Sequence, residues 1–107
     1  MREVSIPAFA AAHADGAVIL DVREPHEYVA GHVPGARLVP LARLGLLRQD
    51  LPRTTPVYVI CASGNRSKAA VDFLANAGID AYSVAGGTAA WTNTGRPVVY
   101  GAHERAA

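Results

Sequence analysis

Val57-Tyr58-Val59-Ile60-Cys61-Ala62-Ser63-Gly64-Asn65-Arg66-Ser67 decides how this chain is read: four apolar residues, one cysteine, then a short polar loop. Residues 68–77 after it are rich in helix formers and end at Gly78, so the passage reads strand, loop, helix, with Ser67 as the expected helix cap. A thiol on such a loop faces the positive end of a helix and a fan of unpaired backbone N–H groups. Both favour the thiolate, which is the reactive form. Cys61 is the only cysteine in the 107 residues. It is read as a nucleophile rather than as the small inert hydrophobe that a strand-end cysteine often is.

On either side of this passage strands and helices alternate. Ser5 is expected to cap a helix over 8–13, with Pro7 in its first turn and Gly16 near its end. Residues 17–22 form a continuous apolar run, as in a strand buried on both faces. A short helix over 24–30 stops at Gly31, a short strand spans 35–40, and 41–47 reads as an amphipathic helix weakened by Gly45. A polar, proline-containing connection over 50–56 leads to the cysteine-bearing strand. Beyond the central helix come a strand over 81–85, a Gly86-Gly87 turn into a short helix carrying Trp91, and an extended edge over 97–100. Residues 101–107 are expected to form a frayed tail.

This alternation predicts an α/β fold: one domain over 1–107, with a mostly parallel central sheet of about five strands and helices on both faces. Ligands of such sheets sit beyond the carboxyl ends of the strands. Cys61, Asp21-Val22-Arg23 and Ala85-Gly86-Gly87 all fall at such ends, so three strand ends are expected to converge on one rim.

Composition narrows the functional classes. A formal net charge of +1 with half the residues hydrophobic suggests neither a nucleic-acid nor a membrane surface. No apolar stretch approaches the length of a membrane span, and residues 1–5 lack a signal-peptide core. A single cysteine forms no internal disulfide, so the cytoplasm is the expected compartment. No His, Glu and Asp cluster has metal-ligand spacing, and no metal or organic cofactor is expected. With no second thiol to resolve Cys61, the acceptor for anything carried on it must come from outside.

Spacing narrows the chemistry. Four residues separate Cys61 from Arg66, one fewer than in protein tyrosine phosphatases, whose loop this arrangement also resembles. The tighter cradle leaves less room for a tetrahedral oxyanion and suits one extra sulfur atom. Cys-x-Ser-Gly-x-Arg-Ser after an apolar strand resembles the active-site loop of the rhodanese family of sulfurtransferases. The resemblance covers nearly the whole chain. Asp21-Val22-Arg23-Glu24-Pro25-His26-Glu27-Tyr28 is similar to the family's first signature, Gly31-His32-Val33-Pro34-Gly35-Ala36 to its Gly-His-Ile-Pro-Gly-Ala segment, and Gly86-Gly87-Thr88-Ala89-Ala90-Trp91 to its Gly-Gly-x-x-x-Trp element. Leu38 departs from the family, which usually places Asn there; the position reads as structural.

The resemblance implies that Cys61 is catalytic and that Ala62, Ser63, Gly64, Asn65, Arg66 and Ser67 form the loop that binds donor and stabilises a persulfide. Asp21, Arg23, Glu27, His32, Gly86, Gly87 and Trp91 are the expected supporting residues. Asp21 and Arg23 read as a buried ion pair, His32 as a scaffold histidine, Trp91 as a core aromatic, and Gly86-Gly87 as a turn allowing close backbone approach. Two roles stand open for Arg66: binding the anionic end of a donor, or fixing the loop through backbone carbonyls.

The implied activity is ping-pong transfer of a sulfane sulfur through a Cys61 persulfide. A small anionic donor such as thiosulfate would supply it, and cyanide, a thiol or a sulfur-carrier protein would accept it. The alternatives are a rhodanese-like binding or sulfur-relay module with little turnover and, further off, a small cysteine phosphatase or arsenate reductase. The expected oligomeric state is monomer or dimer.

Overall fold

The computed structural model describes residues 2–105. Five parallel strands form one sheet in the order β1-β5-β4-β2-β3: Glu3–Val4 (β1), Val18–Asp21 (β2), Arg37–Leu38 (β3), Val57–Ile60 (β4) and Ala81–Val84 (β5). Ile6–Ala14 (α1), Pro25–Val29 (α2), Leu44–Leu47 (α3), Asn65–Asn76 (α4) and Gly87–Asn93 (α5) connect and follow them, with short 3-10 turns at Leu41–Arg43 and Arg48–Asp50. The expected α/β architecture with one largely parallel sheet is therefore the observed one.

Alternation along the strands builds two cores. Leu20, Val22, Val57, Val59, Cys61 and Ala81 face α3 and α4, where Leu44, Ala70, Val71 and Leu74 meet them. Ile19, Ile60 and Val84 face the other way, against Phe9 of α1 and Trp91 of α5. Because both faces are covered, the central strands are apolar on consecutive residues, Val18 to Leu20 in β2 and Val57 to Ile60 in β4, rather than on every second one.

Four expectations are corrected. The fifth strand is Glu3–Val4 beside β5, whereas the 97–100 stretch contributes only an isolated antiparallel bridge between His32 and Val99. The 41–47 helix divides into a 3-10 turn and the single helical turn of α3, which fits Gly45 in its middle. Ser67 does not cap α4: the helix begins at Asn65, with Gly64 at φ +105° as the cap residue. The tail is not frayed over 101–105. Gly101 N–H donates to Val29 O, Gly35 N–H donates to Glu104 O, and the His103 carbonyl meets His32 Nε2. Residues 106 and 107, the rest of that expected tail, lie outside the described residues, as does Met1.

Register aligns the rim. Asp21 pairs with Ile60, and Val59 with Ser83, so the residues following β2, β4 and β5 leave the sheet at one level. Cys61 leaves it at the centre.

Candidate active site

β4 delivers Cys61 to the carboxyl edge of the sheet, buried to 1% exposure, and the chain then wraps around the sulfur before entering α4. Gly64 makes the wrap. Its left-handed φ, open to glycine and costly for other residues, turns its N–H inward to donate to Cys61 Sγ at 3.1 Å. Ser67, in the first turn of α4 and fully buried, places its hydroxyl 3.5 Å from Sγ. That hydroxyl also donates to Gly64 O at 3.1 Å and lies 2.7 Å from the Ser83 hydroxyl.

The loop's carbonyls are held away from the sulfur by α5. Cys61 O accepts from Thr88 N–H at 2.8 Å and from the Thr88 hydroxyl at 3.0 Å, and Ala62 O accepts from Ala89 N–H at 3.1 Å. Gly87 makes this approach possible. A Cβ there would stand 2.5 Å from Cys61 O and 2.7 Å from Ala62 C, inside contact distance. One side of the loop thus spends its acceptors on α5 while its N–H groups converge on Sγ.

The electrostatic result is a thiol more acidic than usual. Burial pushes the Cys61 pKa up, but the Ser67 hydroxyl and the backbone N–H groups of Ser67, Gly64 and Ser63 more than offset it, so the net shift is downward. Hydrogen bonds to the ionised form have this effect.

Among the described residues, the Arg66 guanidinium meets a carboxylate rather than the loop's backbone carbonyls. Its guanidinium forms a fork-to-fork pair with Glu27 of α2, Nη1 to Oε1 at 2.7 Å and Nη2 to Oε2 at 2.8 Å. Hydrogen bonding from Arg66 is the main reason that the Glu27 carboxyl sits at about 2 instead of 4.5. Arg23 is likewise committed. Its Nε and Nη2 hold both oxygens of buried Asp21 at 2.8–3.2 Å, and Nη2 also donates to Gly31 O at 2.9 Å. Both arginines at the rim therefore have a carboxylate partner.

The remaining expected residues separate by position. Ser63 and Asn65 are exposed on the loop, Ala62 is half-buried, and Ala62 helps line an open hollow of about 350 Å³ with Arg23, Thr88, Ala89, Thr92 and Asn93. His32 is a buried scaffold group. Its ring stacks on Tyr28 at 3.6 Å, with Nδ1 2.9 Å from Tyr28 O and Nε2 2.8 Å from His103 O. Gly86, at φ +75°, opens α5. Trp91 is a core aromatic: its ring meets Phe9 and His13 on the opposite face of the sheet, and Nε1 donates to Pro97 O. Two polar contributors escaped the sequence reading, Ser83 and Thr88. A lone serine inside an apolar strand, and a threonine directly after a glycine pair, were the signals that could have pointed to them.

Comparison with known proteins agrees with this geometry. The family model of the rhodanese-like domain matches residues 7–94. A rhodanese-related protein from Thermoplasma volcanium is 35% identical, with a TM-score of 0.86 over 92% of this chain and 98% of its own. A rhodanese-like domain protein from Staphylococcus aureus is 30% identical, with a TM-score of 0.80 over 85% and 91% of the two chains. In the Bacillus anthracis protein CoADR-RHD, 27% identical with a TM-score of 0.85, the match covers 94% of this chain but 18% of that one, so the same fold also occurs as one part of a longer polypeptide. With the family model spanning most of its length and the cysteine loop at its rim, this chain belongs to the rhodanese-like domain family.

Proposed function

We propose that the protein is a sulfurtransferase that carries a sulfane sulfur on Cys61. The observation that supports this most directly is the convergence of the Gly64 N–H and the Ser67 hydroxyl on one buried sulfur of lowered pKa. The Cys61 thiolate attacks the outer sulfur of a donor such as thiosulfate. A new S–S bond forms, the donor's S–S bond breaks, and sulfite leaves with the electron pair. The persulfide's outer sulfur carries negative charge, which the loop N–H groups stabilise much as an oxyanion hole stabilises oxygen. A thiophilic acceptor (cyanide, a thiol or a sulfur-carrier protein) then attacks that outer sulfur and releases the Cys61 thiolate. The chemistry requires neither a metal nor an organic cofactor, and a reducing compartment such as the cytoplasm suits an unpaired thiol.

Phosphoryl transfer fits less well. It would require Arg66 to leave Glu27 in order to clamp phosphate oxygens, in a loop already one residue tighter than a phosphatase cradle. Initial rates with thiosulfate and cyanide test the proposal: double displacement gives parallel double-reciprocal lines that vanish in Cys61→Ser. Turnover that survives this substitution would refute it.

A further inference from the structure

Ser83 lies in the middle of β5, 1% exposed, among otherwise apolar neighbours in β4 and β5. Its register partner is Val59, two residues before Cys61 on the adjacent strand. Side chains two apart on a strand share a face, so the Ser83 hydroxyl rises towards α4 beneath the cysteine loop. There it meets Ser67 Oγ at 2.7 Å.

Counting protons assigns the direction of that bond. Ser67 has one proton and several acceptors within reach: Gly64 O at 3.1 Å, Cys61 Sγ at 3.5 Å and Ser83 Oγ. Among the described residues, the Ser83 hydroxyl has Ser67 Oγ as its hydrogen-bond neighbour, and no buried side-chain oxygen is left unpartnered. A buried hydroxyl proton with no acceptor is costly. Ser83 therefore donates, and Ser67 keeps its own proton for Gly64 O or for the sulfur.

We infer that Ser83 is a positioning residue for the Cys61 nucleophile, acting through Ser67. In the thiol state the S–H donates to Ser67 Oγ, whose second lone pair accepts from Ser83, and the Ser67 proton rests on Gly64 O. When Cys61 loses its proton to solvent, the Ser67 O–H turns from Gly64 O to Sγ. Ser83 goes on donating to Ser67 Oγ, which strengthens Ser67 as a donor to the thiolate. No covalent bond other than S–H is broken.

The functional consequence rests on Cys61 being the sulfur-transfer nucleophile, but the test does not. Cys61 is the single cysteine, so the pH dependence of its alkylation rate titrates it alone, whether or not sulfur is transferred. Ser83→Ala should raise the titration midpoint by about a few tenths of a pH unit, since the Ser83 bond is present in both states and only its cooperative strengthening differs between thiol and thiolate. Ser83→Thr should restore the midpoint, while Ser83→Val, which matches Thr in shape but lacks the hydroxyl, should not. This pair keeps the comparison available if the alanine variant fails to fold. In a Ser67→Ala background, removing the Ser83 hydroxyl should cause no further shift, because the connecting group is gone. An unchanged midpoint in Ser83→Ala, equal midpoints for Thr and Val, or a shift that persists without Ser67 would each overturn the inference. Absence of a persulfide alongside the expected shifts would instead refute the sulfurtransferase reading and leave Ser83's action on the thiol standing.

Discussion

Arg66 and Glu27, 39 positions apart in sequence, meet fork to fork at 2.7 and 2.8 Å and tie the start of α4 to α2. The pair orients Arg66 away from a free, anion-seeking position. If fixing the loop is its main work, Arg66→Ala and Glu27→Gln should each lower stability by about 1 kcal/mol, as partly exposed bidentate pairs do. The double variant should be little worse than either single one. Both should slow thiosulfate and a neutral sulfane donor by similar factors. Selective loss of the anionic donor in Arg66→Ala would mean that Arg66 leaves Glu27 to bind it.

The same pair predicts a pH dependence of stability. Glu27 titrates at about 2 in the folded chain, chiefly through Arg66, against 4.5 for the free group. A depressed carboxylate contributes its stability above the unfolded value and loses it as pH falls towards the folded one. Urea midpoints should therefore fall between pH 4.5 and pH 2, and less steeply in Glu27→Gln. Parallel curves for the two proteins would contradict the assignment.

Asp21 is fully buried and Arg23 nearly so, and Asp21→Asn would leave that guanidinium without its countercharge. Breaking a buried ion pair on one side costs about 3–5 kcal/mol, so chemical denaturation should show a loss of that order. A loss below about 1 kcal/mol would mean that the Gly31 carbonyl alone can satisfy Arg23.

Gly87→Ala combines two costs: a left-handed φ of +59° and a Cβ 2.5 Å from Cys61 O. The backbone term alone is about 1–2 kcal/mol, and the displaced carbonyl should disturb the loop. Lower thermal stability together with slower alkylation of Cys61 is expected. Wild-type alkylation in a destabilised variant would show that the loop's grip on the sulfur does not depend on α5.

Sequence patterns carried the sheet and the site unevenly. β2, β4 and β5 were legible because strands covered on both faces form unbroken apolar runs. β1 was not, since Glu3–Val4 is two residues long and owes its conformation to the edge of β5. Serine's capping preference points to the wrong residue for α4, because the left-handed freedom of Gly64 lets the helix begin earlier, at Asn65. Ser67 turned out to serve the sulfur instead. The Asp21–Arg23 ion pair is legible from sequence because its members lie two residues apart at a strand end, whereas the Arg66–Glu27 pair depends on tertiary placement. Ser83 belongs to no motif; as a lone serine in an apolar strand it draws notice, but only its register against Val59 shows where its hydroxyl goes. The 101–105 segment looked free because its anchors are backbone groups of Val29 and Gly35 and the ring of His32, which no local pattern announces.

Intact mass after incubation with thiosulfate tests the central claim most directly. Wild type should gain the mass of one sulfur atom and lose it on adding cyanide, with thiocyanate formed in step, while Cys61→Ser gains nothing. No gain with thiosulfate or with a panel of persulfide and polysulfide donors, or an equal gain in Cys61→Ser, would contradict a Cys61 persulfide.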